Sequence, residues 1–290
     1  MLDLGKDRDW FQNPLIVVLT IFAAVGFVAW VIWEMTDGSP AVDLGLFMRR
    51  NFAFGTLALC LGYALFFANN LLLPLWLQEH LGYTATWAGF VAAPSGIVAV
   101  LATPIVARLK IDTRWLATAA FLMFALSYFM RSQYTPDASF WTLVSPLLLQ
   151  GLAMSMFFVP LVTISFDGLP PDRVPSASGI SNFARITAGS FAASLTTTYW
   201  DRREALHQTR LTEVARDYSP IYRQTIEQLQ AAGLTPLQAT ASVMRQIVNQ
   251  SYLLSSLELF WICGWLALAL IAVIWITRKP APSEHLPAAD

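Results

Sequence analysis

Between Gln150 and Trp200 the chain carries two apolar segments joined by Asp167-Gly-Leu-Pro-Pro-Asp-Arg173. Each segment is close to the roughly 20 residues that a helix needs to cross a bilayer core. The glycine and prolines of the joint are residues that end helices. The stretch therefore reads as a transmembrane hairpin, and a chain that contains one folds in and around a bilayer.

The second arm of the hairpin holds one charge, Arg185, about nine residues beyond Ser176 and so roughly 13 Å into the hydrocarbon. A charge at that depth costs on the order of 3 kcal/mol or more, so such residues face a bundle interior or a wet cavity. Ser178, Asn182, Arg185, Gly189, Ala192 and Thr196 recur every three or four residues, while Ile180, Phe183, Phe191 and Leu195 fall largely off that stripe. One helix face is small and polar and the other is apolar.

The whole chain fits this reading. Of 290 residues 56% are hydrophobic and only 13% charged, with a mean hydropathy of +0.53, which marks a multi-span membrane protein. The expected spans are Pro14 to Trp33, Phe52 to Leu77, Thr84 to Ala107, Leu116 to Phe129, a fifth from near Phe140, the second hairpin arm to Trp200, and Leu253 to Ile276. Val42 to Met48 reads as a surface turn of helix or a plain loop. Asp201 to Ser251 is the longest polar stretch and is expected as an extramembrane loop. Within it Ser219 to Ala232 reads as a helix closed by Gly233, and Thr235-Pro-Leu-Gln238 as a helix start with Thr as N-cap. The charged residues 1–10 do not read as a cleavable signal peptide.

Seven spans put the termini on opposite sides. The C-terminal face then carries Arg49, Arg50, Arg108, Lys110, Arg114, Arg173, Arg278 and Lys279, eight basic residues, against Lys6, Arg8 and Arg131, three, on the other. Basic residues mark the cytoplasmic side, so the C-terminus is expected in the cytoplasm and the N-terminus outside. Cys60 and Cys263 lie in spans without a second ligand at metal-binding spacing, and read as packing residues.

The segments LLLQG, the Pro160 region, GLPPDR, SNFAR and AGS, with GKDRDWF, RNFAFG, GYTATWAG and TTTYW, resemble the EmrB/QacA-type multidrug efflux branch of the major facilitator superfamily. The resemblance runs nearly end to end. It implies an all-helical polytopic fold equivalent to the C-terminal part of a 14-span drug:proton antiporter. Residues 1–50 would be the last helix of a central pair and its linker, 51–278 the six-helix bundle, and 279–290 a cytoplasmic tail. The implied partners are lipid, hydrophobic small molecules and protons, an N-terminal half without which the chain is inactive, and a periplasmic adaptor protein, in a bacterial inner membrane. Arg108, Lys110, Asp112 and Arg114 resemble the superfamily's cytoplasmic loop motif, with Ala107 where a glycine is usual. They serve either gating or topology. A different class of function remains open: a non-transporting membrane scaffold, or a truncated gene product.

Enzyme motifs such as HExxH, GxSxG, CxxC and a phosphate loop are missing from the sequence, no cofactor or metal is expected, and the mixed charges of 201–251 do not suit nucleic acid. A retinal protein needs a lysine in a span, and Lys6, Lys110 and Lys279 all lie outside. The candidates for a compound-binding cavity are Tyr63, Phe66, Asn69 and Asn70 on the second span, Gln150, Met154 and Phe157 on the fifth, and Asn182 with Arg185 on the sixth. Met154 and Phe157 read equally as packing, and the two amides more readily as interhelical hydrogen bonds than as substrate contacts. Glu258 is the remaining acid that matches the family pattern for proton coupling, with an interfacial carboxylate as its plainer role. His80, beside Glu79, reads as a solvated residue at a span end.

Overall fold

The computed structural model describes residues 10–36, 43–109, 111–215 and 219–279, and every regular element among them is helical. The α-helices are α1 (Pro14–Thr36), α2 (Arg50–Glu79), α3 (Ala85–Ala107), α4 (Thr113–Arg131), α5 (Phe140–Ser155), α6 (Phe158–Phe166), α7 (Val174–Val214), α8 (Pro220–Ala231) and α9 (Pro236–Ile276). Six segments are long and apolar enough to cross a membrane: Pro14–Glu34, Arg50–Glu79, Ala85–Ala107, Thr113–Arg131, Phe140–Phe166 and Pro236–Ile276. The chain is a multi-pass membrane protein. The hairpin arm in α7 is outside that set, because its small and polar stripe dilutes its apolarity, but α7 packs along both α2 and α9.

Helices α2, α4, α5, α6, α7 and α9 enclose the core, with α3 against α5. Trp76, Phe121, Phe124, Tyr128, Phe157 and Phe260 are fully buried in it. In lipid such side chains gain close packing rather than escape from water. Helix α1 stands at the side and meets the bundle through Trp30, whose ring centroid lies 6.4 Å from that of Phe183.

The expected single fifth span is two helices. Proline lacks an N–H, so Pro160 cannot bond the carbonyl of Met156, and its ring clashes there; the chain breaks at Met156 and Phe157. Pro74, Pro94, Pro104 and Pro146 are by contrast carried inside their helices.

Within the polar stretch from Asp201 to Ser251 the helix expected over Ser219 to Ala232 is α8 and the start at Thr235 is that of α9, but most of the remainder, expected as loop, is helix as well. No glycine or proline follows Gly189 before the end of α7 at Val214, so the backbone has no reason to stop where apolarity does. Thr235 starts α9 through a reciprocal capping box: its hydroxyl accepts from Gln238 N at 3.3 Å, and the Gln238 side chain accepts from Thr235 N at 2.9 Å. Helix α8 packs on α9. The extensions of α7 beyond Trp200 and of α9 before Leu253 reach roughly 20–25 Å past the expected membrane border at 1.5 Å per residue. Gly233, in the turn before α9, has φ +98°.

The opposite end is tied by a polar collar. Terminal helix carbonyls lack intrahelical donors and carry the negative end of the helix dipole, and arginines meet them here. Arg50 donates to Ile276 O at 2.6 Å, Arg114 to Thr277 O at 3.4 Å, and Arg49 to Gly168 O, in the hairpin turn, at 2.6 Å. Asn51 bonds Asp167 at 3.0 Å and accepts from Arg278 N at 2.7 Å. Arg173 pairs with Asp43 at 2.9 Å. The expected surface turn is a 3-10 helix, Leu44–Met48, capped by Asp43, with Val42 outside the described residues.

Candidate functional site: an arginine between two rings

Arg185 projects from the polar stripe of α7 toward α2 and α6. Its guanidinium lies 5.0 Å from the Tyr63 ring centroid and 5.1 Å from that of Phe158. Its Nη2 donates to Asn182 Oδ1, one turn earlier, at 2.8 Å. A planar guanidinium is drawn to aromatic faces, and each contact contributes on the order of 0.5–2 kcal/mol depending on desolvation. Gly189 makes the geometry possible, since a Cβ there would lie 2.9 Å from Tyr63 Cε1. The break at Met156 and Phe157 turns Phe158 toward this cluster. Unwound points in membrane helices occur where transporters bind their cargo.

The wall continues from this cluster. Tyr63, Phe67 and Asn70 follow one another at helical spacing on α2, with Tyr63 close to Phe67 (6.0 Å) and Phe66 (6.4 Å) and with Phe67 and Asn70 exposed. Alongside, Gln150 donates to Asn70 Oδ1 at 3.4 Å. Met154 is half-buried at the edge of the core.

Two candidates lie elsewhere. Phe157 is fully buried, edge-on to Phe121 and Phe124 at 5.8 and 5.7 Å, and so packs the core. Asn69 is fully buried and donates to Leu65 O on its own helix at 2.8 Å. Sequence reasoning missed three residues. Phe67 and Phe158 are not among the candidates, and Phe158 gains its place only through the helix break. Arg131 counted as a surface charge, but it is fully buried, donates to Gln150 Oε1, and lies over the Tyr128 and Phe260 rings at 5.6 and 5.8 Å.

Glu258 is away from this wall. Both its oxygens accept from Arg203 at 2.6 Å, and His207 lies 3.1 Å from it, so the carboxylate clamps α7 to α9. His80 is not a solvated end residue. Its ring stacks on Tyr252 at 4.1 Å, meets Trp200 edge-on at 5.6 Å, and bonds Asn249 at 3.2 Å. Burial lowers its pKa against the opposing pull of Asn249 and Glu79.

Of the loop-motif residues, Asp112 caps α4 by accepting from Arg114 N at 3.1 Å. It lies 3.5 Å from the Arg114 guanidinium and 3.8 Å from Lys279. Burial pushes the Asp112 carboxyl up, but the bonds and charge of Arg114, with Lys279, outweigh it and hold the carboxyl below the usual range. Arg114 also lies over the Trp275 ring at 5.3 Å. These contacts fasten the α3–α4 turn to the end of α9. Arg108 ends α3, and Lys110 lies outside the described residues.

Residues 10–193 match the family model described as Major Facilitator Superfamily. The chain belongs to that superfamily. Relatives in the superfamily include the Multidrug export protein EmrB of Escherichia coli (strain K12), 42% identical over 283 residues that make up 97% of this chain and 55% of the relative. The Fatty acid resistance protein FarB of Neisseria gonorrhoeae is 38% identical over 97% of this chain and 56% of its own length. The Probable multidrug resistance protein EmrY of Escherichia coli is 37% identical, with 97% and 55% covered. The chain thus spans a little over half the length of these superfamily members.

Proposed function

We propose that this chain is one bundle of a proton-coupled efflux transporter that exports hydrophobic and amphipathic compounds, and that it works against a matching N-terminal bundle. The observation that carries the reading is Arg185, held between Tyr63 and Phe158 beside the broken fifth span. A cation in hydrocarbon, backed by rings rather than acids and set at an unwound helix, suits binding of a varied amphipathic cargo. Its relatives' names, which speak of multidrug export and fatty acid resistance, support the same reading. Alternating access needs two bundles that rock about a midplane site, which is why the second bundle belongs to the proposal.

In this reading residues 51–278 form the transporting bundle and the chain crosses a bacterial inner membrane seven times. The collar end, rich in arginine, is cytoplasmic, and α8 with the extensions of α7 and α9 is external, where it meets a periplasmic adaptor. Proton coupling falls to the partner bundle, since Glu258 is committed to Arg203 and His207. The test is efflux of an amphipathic dye from a pump-deficient strain that expresses this chain with and without a matching first bundle. Export with both is expected. Proton-driven export by this chain alone overturns the two-bundle requirement, and no export in either case favours a membrane scaffold. For orientation, a cysteine at the exposed Leu109 should resist an impermeant maleimide in intact cells, and labelling there reverses the topology.

A further inference from the structure

Arg131 ends α4 and has no solvent exposure. Among the described residues no carboxylate pairs with it, and the ionisable groups near it are Tyr128, Tyr134 and Cys263. Its Nε and Nη1 lack partners there too. A buried cation without a counter-charge is costly, and its one side-chain hydrogen bond runs to Gln150.

That bond has a direction. Arginine can only donate, so the Gln150 amide must present its oxygen to Arg131. Its nitrogen then points the other way, and donates to Asn70 Oδ1 at 3.4 Å. Asn70 is in turn oriented with its carbonyl inward. Because Asn70 is exposed on the same helix wall as Tyr63 and Phe67, its NH₂ is the group left on the open side of that wall. The buried charge is relayed through two amides and emerges as a polarised N–H donor, strengthened by the chain of bonds behind it.

We propose that Arg131 is a specificity-setting residue that acts from behind the wall: through Gln150 it fixes Asn70 as a donor, and so favours cargo with an acceptor head group such as a carboxylate over a quaternary ammonium. This rests on the reading of the Tyr63–Asn70–Arg185 face as the compound-binding wall. It adds a second polar contact, built separately from Arg185, which has its own amide partner in Asn182.

The experiment uses three probes with one dansyl-undecyl skeleton, ending in a carboxylate, an alcohol or a trimethylammonium group. Binding to the full chain in phosphatidylcholine nanodiscs is read as fluorescence enhancement, and the carboxylate-to-ammonium affinity ratio is compared among variants with Arg185 intact. Arg131→Lys, still a cation and donor, should stay within about twofold of the wild-type ratio, whereas Arg131→Met frees both amides to turn and should lower it about tenfold. Gln150→Glu accepts from Arg131 and from Asn70 alike, which turns the Asn70 carbonyl outward and lowers the ratio at least as far without touching Asn70. Asn70→Asp, at an exposed position, should lower it too, and these two variants decide the matter if Arg131→Met does not fold. Unchanged ratios in variants that bind the alcohol probe normally overturn the relay alone. Failure of all three probes to bind the wild-type chain overturns the wall and the relay together.

Discussion

Two arginines lie inside the helix bundle, each with one amide partner and two rings, and they differ in burial. Arg185 is half-buried, sandwiched by Tyr63 and Phe158, and bonded to Asn182 on its own helix. Arg131 is fully buried and bonded to Gln150 of another helix, with two further nitrogens lacking partners among the described residues. Both lie over two rings, Tyr128 and Phe260 in the case of Arg131, but Arg185 has solvent access to replace a lost amide, whereas Arg131 sits in a place that water does not reach. In the function proposed above, partial exposure makes Arg185 a contact for cargo, while enclosure makes Arg131 a source of orientation.

Removing each amide partner tests this contrast, and the effect should be largest at the buried site. Gln150→Leu removes the one side-chain hydrogen bond of a buried cation and should lower stability by about 2–3 kcal/mol, read as the midpoint of unfolding in detergent. Asn182→Leu should cost about 1 kcal/mol or less. Equal losses at the two sites would erase the distinction.

Next in size is the aromatic sandwich. Tyr63→Ala or Phe158→Ala should each remove on the order of 1 kcal/mol of Arg185 placement, whereas Tyr63→Phe keeps the ring and most of the effect. Gly189→Val drives a side chain into Tyr63, and is expected to weaken alcohol-probe binding about as much as Tyr63→Ala does. If it binds the probe normally, Gly189 is not what lets Tyr63 reach Arg185.

A smaller effect should appear in export by the two-bundle transporter. Arg185→Lys keeps the charge but loses the planar fork that lies between the rings, and Arg185→Gln loses the charge. We expect export to fall for both and further for glutamine. Normal export and cargo affinity from both at unchanged expression would make Arg185 a packing residue.

The smallest effect lies at the collar. The Asp112 carboxyl sits below its usual value of 3.8 in the fold, so its stabilising contribution is complete above that value and is lost as pH falls through the lowered native one. Asp112→Asn should therefore lower the thermal midpoint slightly at neutral pH, and the gap to wild type should close in acid. A gap that persists at the lowest pH would mean that capping of α4, not charge, is what Asp112 supplies.

Much of this was legible in the residues. Six of the seven expected spans, the hairpin turn and the capping box at Thr235 were readable because apolar run length and helix caps depend on residues a few positions apart. Arg185 was readable because its stripe repeats along one helix. The extent of α7 and α9 was not: hydropathy registers the solvent around a helix and is silent on where its backbone bonding stops. Arg131 was misassigned for a related reason, since a charge at the end of a span looks the same whether its long side chain turns out to the headgroups or back into the bundle.

The amino-acid order by itself determined that this is an all-helical membrane chain, that a helix starts at Thr235, and that a polar stripe runs down the second hairpin arm, because those properties are set by local bonding and by transfer into lipid. Tertiary structure alone decided which polar groups meet. Tyr63, Phe158 and Arg185 come from three separate helices, and Gln150 and Asn70 bond across 80 positions. Phe158 reaches Arg185 only because Pro160 breaks the helix before it, and the Asn70 amide faces out only because a buried guanidinium, which cannot accept, stands two hydrogen bonds behind it.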